Sequence, residues 1–200
     1  MIVAVTNRAL CPGAFEERIK ALAQGKAARI LLREKDLPPS QYEALAARCR
    51  ELCASSGTTL VVNSRIEAAK RLGIGSVQVP FPVLLEHRNL CREFQEVAVS
   101  VHGIEEAVEA QARGATYLIA GHIFETGCKP GLPARGLSFL RAVCESVSIP
   151  VLAIGGIRLD RLPAVREAGA KGVCLMSELM TCDRPQERLA EYRQAWKRLL

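Results

Sequence analysis

The sequence predicts an α/β fold, a single (β/α)8 barrel occupying residues 1–200 as one domain. Three observations lead there. Short β-branched runs alternate with longer helical stretches along the whole chain. The strand-like runs are nearly continuously apolar, as in parallel sheets covered on both faces. The alternation repeats eight times within a length suited to one domain. A doubly wound open sheet is the alternative, but no Gly-x-Gly-x-x-Gly follows a strand.

In chain order, strands are expected over residues 2–7, 29–33, 59–63, 76–79, 97–102, 117–122, 151–155 and 172–176. Helices are expected between them over 15–23, 41–54, 66–72, 105–113, 137–146, 161–168 and 185–199. The fourth helix is the weakest, because 84–94 is short and follows Pro80-Phe81-Pro82. Ser40-Gln41-Tyr42-Glu43 reads as a capping box opening the second helix. In the last helix Pro185 suits the first turn, and Leu189, Tyr192, Trp196 and Leu199 share one face.

Apolar residues at 49% and charged residues at 24% describe a folded globular chain rather than a disordered one. The apolar runs are too short to cross a bilayer, so no membrane association is expected. Residues 1–7 read as a strand rather than a signal peptide, and a cytoplasmic location is expected. The net charge of +6 does not indicate nucleic acid: basic residues are scattered, and 4% aromatics leave few stacking platforms. A modest positive balance suits an anionic small molecule equally well. The eight cysteines contain no Cys-x-x-Cys pair, and only Cys49 and Cys53 are helix neighbours. Most are expected to be buried and reduced, and Cys128 is set apart by its place in the loop after His122.

In a barrel, chemistry belongs to the carboxyl ends of the strands. Those ends carry Thr6-Asn7, Arg33-Glu34-Lys35, Asn63-Ser64-Arg65, Ser100-Val101-His102, His122, Gly155-Gly156 and Met176-Ser177. Arg33 and Lys35 alternate, so both could face an anionic ligand, or pair with Glu34 and Asp36 on the rim. Asn63 could bond a heterocycle or terminate its strand. His122, followed by Phe124-Glu125-Thr126, is the main candidate for proton transfer, with His102 as a second proton handler. His87 reads as a surface residue. Gly155 and Gly156, together with Met176 and Ser177, suit a phosphate site after the last two strands.

These segments resemble the thiamine phosphate synthase/TenI family over nearly the whole chain. The resemblance is carried by Leu32-Arg33-Glu34-Lys35-Asp36, Val61-Val62-Asn63-Ser64-Arg65, Val99-Ser100-Val101-His102, Gly121-His122-Ile123-Phe124-Glu125-Thr126, Ile154-Gly155-Gly156-Ile157 and Met176-Ser177. It implies the barrel and a site for a thiazole phosphate. Within the family, synthases place a magnesium-binding aspartate where this chain has Ser64, a glutamine where it has Leu31, and a proline where it has His122. The synthases' second magnesium aspartate has no counterpart near Ser76-Val77-Gln78-Val79-Pro80-Phe81.

That combination resembles the TenI branch, whose activity is thiazole tautomerisation in thiamine biosynthesis. The resemblance implies an isomerase with His122 and His102 as proton handlers, working without metal or redox cofactor. Arg33, Lys35, Asn63, Ser100, Phe124, Glu125 and Thr126 would surround the substrate, and Gly155, Gly156, Met176 and Ser177 would hold its phosphate. The alternatives are a thiamine phosphate synthase-like enzyme and a non-catalytic regulatory protein that binds a thiazole phosphate. The exposed barrel helices could form a homodimer.

Overall fold

A computed structural model describes residues 1–127 and 131–199. Eight parallel strands hydrogen-bond in chain order into a closed barrel: β1 (Ile2–Val5), β2 (Arg29–Leu32), β3 (Thr59–Asn63), β4 (Ser76–Pro80), β5 (Glu96–Val101), β6 (Tyr117–Gly121), β7 (Val151–Ile154) and β8 (Gly172–Leu175). The α/β barrel class expected from the alternation is therefore the observed one. Several strands end one or two residues earlier than expected. At those points the chain is released from the sheet, and the polar residues become loop positions.

The helices are α1 (Phe15–Gln24), α2 (Pro39–Ala54), α3 (Ile66–Arg71), α4 (Phe81–Glu86), α5 (Leu90–Glu93), α6 (Ile104–Ala112), α7 (Gly136–Ser146), α8 (Leu162–Glu167), α9 (Ser177–Met180) and α10 (Pro185–Lys197). The weak fourth helical region is two short helices, α4 and α5. Pro82 is tolerated because it lies in the first turn of α4, where its missing N–H is not needed. The expected capping box at Ser40 is not formed. α2 starts two residues earlier than expected, at Pro39, and its N-cap is Pro38 without a side-chain hydrogen bond. Ser40 therefore lies inside the first turn rather than ahead of it.

Chain contacts group the residues into two compact units. One contains Ile2–Gln78 and Leu175–Gln194. Its strands are buried along their length, with Val3, Val5, Ile30, Leu32, Val61 and Val62 in its core. Helix α1 presents Ile19, Leu22 and Ala23 to that core while Glu16 and Glu17 occupy its first turn, where the helix dipole favours acids. Arg18, on the same helix, is buried, and its guanidinium donates to the carbonyls of Leu179 (3.2 Å) and Cys182, staking α1 to the end of α9 and to the turn that follows it.

The other unit contains Val79–Cys174, with Met1 and the residues from Ala195 on. Val97, Val99, Leu118, Leu152 and Val173 form its strand core, backed by Leu140 and Val143 of α7. Ala120 pairs with Ala153 and Gly121 with Ile154, so β6 and β7 run in register to their carboxyl ends. Leu189, Tyr192 and Trp196 of α10 are buried as their spacing predicts, whereas Leu199 lies beyond the helix and is half-buried. Among the described residues no helix is long and apolar enough to cross a membrane. Cys49 and Cys53 are buried free thiols; Cys128 falls outside the described residues.

Candidate functional site

In the unit built on β5 to β7, the histidine after β6 is held from three sides. The peptide between Gly121 and His122 is cis. Beyond it the chain stays zipped to β7, as Ile123 N–H donates to Ile154 O (2.9 Å) and Phe124 N–H to Gly155 O (3.0 Å). Gly155 has φ +99°, and a β-carbon there would fall 2.5 Å from His122 Cβ. Gly156 has φ +62°, and a β-carbon there would press on the Glu125 carbonyl and lie 2.8 Å from Phe124 Cβ. Both positions thus need glycine for space as well as for backbone conformation. Arg161 closes this corner by donating to Gly156 O (2.6 Å) with its guanidinium 4.6 Å from the Phe124 ring centre.

His122 is buried. Its Nε2 lies 3.0 Å from Pro133 O and 3.3 Å from Leu132 O. Carbonyls only accept, so Nε2 carries the proton, and in the neutral ring Nδ1 holds the lone pair. That Nδ1 is buried and has no hydrogen-bond partner among the described residues, a condition shared there only with Trp196 Nε1. An unsatisfied buried acceptor costs about 1–3 kcal/mol, so its persistence calls for a reason in function.

His102, exposed just after β5, uses the opposite nitrogen: its Nδ1 lies 3.1 Å from Gly121 O and donates to it. Its backbone N–H donates to Glu106 Oε2 (2.6 Å). The two candidate proton handlers are therefore tied to adjacent residues of one strand end, each with a different nitrogen committed to a carbonyl. Ser100 is half-buried on β5 opposite Ile119. Phe124 and Thr126 are half-buried and Glu125 is exposed.

In the unit built on β1 to β3, the ends of the strands are organised around a residue that sequence reasoning treated only as a rim partner. Glu34 is buried; it accepts from Thr6 Oγ1 (2.6 Å) and, through both oxygens, from Arg8 N–H (3.1 and 3.0 Å). Thr6 Oγ1 in turn accepts from Arg33 N–H at 2.9 Å, which joins β1 to β2. Arg8 makes an ion pair with Asp36 at 2.5 Å. Flanking the buried carboxylate, Arg33 is half-buried and Lys35 exposed.

Asn63 terminates β3 in the structural sense: its Nδ2 donates to Gln78 Oε1 (2.5 Å) and Ser64 Oγ (3.3 Å). Ser64 adopts φ +57°, and its N–H donates to Gln78 O (2.9 Å). Arg65 donates to Leu37 O (2.9 Å) and lies 5.6 Å from the ring centre of Tyr42. The Tyr42 hydroxyl donates to Leu32 O (2.8 Å), and burial holds this phenol well above its ordinary range. Met176 and Ser177 form the N-terminal edge of α9, half-buried and exposed respectively. The next residue, Glu178, accepts from Tyr192 Oη (2.7 Å) and from Arg188.

The structure thus brings His122, Phe124, Glu125, Gly155 and Gly156 into contact, with His102 joined to them through Gly121. The Leu132–Pro133 carbonyls and Arg135 were missed, because a backbone acceptor leaves no mark on residue type. Glu34 carried a readable signal in its alternation with Arg33 and Lys35, which places it on the opposite face of the strand end.

A family model described as thiamine monophosphate synthase matches residues 2–179. Thiamine-phosphate synthase from Syntrophomonas wolfei is 31% identical across 97% of this chain and 95% of its own. The enzyme of that name from Moorella thermoacetica is 38% identical across 82% and 80%. Among solved structures, thiamine phosphate pyrophosphorylase from Pyrococcus furiosus superposes with a TM-score of 0.86 and 29% identity, covering 100% of this chain and 96% of that one.

Proposed function

Since the chain belongs to the thiamine monophosphate synthase family, we propose that it acts in thiamine biosynthesis as a thiazole tautomerase, converting 2-carboxy-4-methylthiazol-5(2H)-ylidene ethyl phosphate to the aromatic carboxythiazole phosphate. The observation that carries this proposal is His122, a buried imidazole with Nε2 committed to Leu132 and Pro133 and an Nδ1 that has no partner among the described residues. A fixed tautomer of this kind is what a proton shuttle between two carbons requires.

The reaction is a proton relocation. The C2–H bond breaks and its electron pair becomes the C2=N3 double bond. The N3=C4 pair moves to C4=C5, and the exocyclic C5=C pair takes up a proton. Atoms and charge balance, and aromaticity supplies the driving force. His122 Nδ1 serves as the main base and acid, with His102 assisting. Ser100, Phe124, Glu125 and Thr126 contact the substrate, and the glycine turn at Gly155 and Gly156 offers main-chain amides to its phosphate. The ligand is a thiazole phosphate, and the location is the cytoplasm.

A second reading, thiamine phosphate synthesis, is favoured by the names of the relatives. It implies magnesium to hold a pyrophosphate, and the residues at the end of β3 do not fit that ion. Asn63, Ser64 and Arg65 offer an amide, a hydroxyl and a guanidinium, and Ser64 Oγ already accepts from Asn63. A hard divalent cation on a pyrophosphate wants carboxylates.

The deciding experiment supplies the dihydrothiazole phosphate and follows formation of the aromatic product. Acceleration that falls by about 10²–10⁴ in His122→Ala, with product binding retained, is the expected result. No acceleration over buffer would defeat the tautomerase. Condensation of pyrimidine pyrophosphate with thiazole phosphate in the presence of magnesium would establish the second reading instead. Binding without either turnover would indicate a regulatory protein.

A further inference from the structure

The segment that caps His122 is itself pinned by one side chain. Arg135 lies between strap and helix as the residue preceding α7. Its backbone N–H donates to His122 O (3.0 Å), and the next residue, Gly136, donates to Ile123 O (3.0 Å). Its guanidinium donates to His102 O (2.6 Å) and lies 5.2 Å from the Phe139 ring centre. The carbonyls on His122 Nε2 belong to Leu132 and Pro133, three and two residues before Arg135. Those residues are exposed and Leu132 is 56% accessible, so packing contributes little to their position.

We infer that Arg135 is a positioning residue: by anchoring the 132–135 strap to the ends of β5 and β6, it holds the two carbonyls on Nε2 and fixes His122 in the tautomer that leaves Nδ1 as the base. An exposed strap pays conformational entropy to stay in one place, and the backbone bond at residue 135 alone secures only its end. The guanidinium adds a second point of attachment on a neighbouring strand, and its stacking on Phe139 restricts its rotamers. Freed from the strap, Nε2 would lose its fixed acceptors, and either ring nitrogen could carry the proton. A base presented in the wrong tautomer cannot take the substrate proton.

The chemical part of this inference rests on the proposed tautomerase, whereas the tautomer itself can be observed without substrate. The test uses protein labelled with ¹⁵N-histidine, comparing the wild type with Arg135→Met, which keeps an apolar stem against Phe139, and Arg135→Lys, which keeps one donor. In the wild type, the His122 signals should show a protonated Nε2 and an unprotonated Nδ1. In Arg135→Met they should move to a mixture of tautomers, while kcat falls about tenfold to a hundredfold with KM nearly unchanged. Arg135→Lys should restore both in part. Wild-type nitrogen signals in a folded Arg135→Met protein would overturn the inference. So would a wild-type His122 protonated at Nδ1, a measurement that stands even if the methionine variant fails to fold. Absence of turnover in the wild type would count against the tautomerase, and the nitrogen signals of the same samples would still decide the role of Arg135.

Discussion

Gly155 sits directly against His122: a β-carbon on the glycine would lie 2.5 Å from the histidine Cβ and 2.7 Å from its Cα. The end of β7 thus sets where the imidazole stands, through the absence of a side chain.

Gly155→Ala should therefore act on His122 without touching its chemistry. The new methyl meets backbone as well as side chain, and φ +99° is a conformation that alanine resists. A loss of about 1–3 kcal/mol in unfolding free energy is expected from the strained backbone, with turnover down about a hundredfold from displacement of the ring. Urea titration and steady-state kinetics on the same preparation check both. A wild-type kcat in Gly155→Ala would show that the contact does not position the ring.

Glu34 should prove a stability residue. Its carboxylate takes one hydroxyl and one main-chain N–H at the ends of β1 and β2. Glu34→Gln keeps the shape but puts an amide NH₂ where an acceptor was, leaving a buried donor facing donors. A destabilisation of about 1.5–3 kcal/mol is expected, measured as a shift in the urea midpoint at constant slope.

The paired thiols of α2 predict a defined alkaline limit. Burial pushes Cys49 and Cys53 from an ordinary 9.0 up to about 12. Their raised values mean that the folded state holds these protons more tightly than the unfolded chain. The corresponding stability is fully present below pH 9 and is lost as pH rises through about 12. Replacing both by alanine should flatten the decline in stability over that window. At pH 8 the low thiolate fraction should also slow their reaction with a disulfide reagent by about 10³ relative to an ordinary thiol. Fast labelling of Cys49 or Cys53 in the native protein would contradict their burial.

Much of the barrel was legible because its signals are local and repeated. Runs such as Val97–Val99 and Leu118–Ala120 are apolar on both faces, as expected of a parallel sheet covered on both sides. The position of His122 at a strand end was readable for the same reason. Its tautomer was not, since the acceptors on Nε2 are backbone atoms of exposed residues whose side chains announce nothing. Asn63 was readable as either a ligand contact or a strand terminator, and its bond to Gln78 Oε1 favours the second. Ser40 misled because a capping residue must itself be extended, whereas Ser40 is already helical. Here Pro38 is extended, at ψ 154°, and the helix opens on the proline that follows.

The buried guanidinium of Arg18 carries a wider consequence. The turn leading out of α9 is fastened through Leu179 and Cys182 to a side chain from α1, a helix of the outer layer. The ground on which Ser177 stands is therefore inherited from the opposite end of the sequence, 159 positions upstream by residue number (177 − 18). Loss of the Arg18 guanidinium would free the turn after α9 while every residue at the strand ends stays the same.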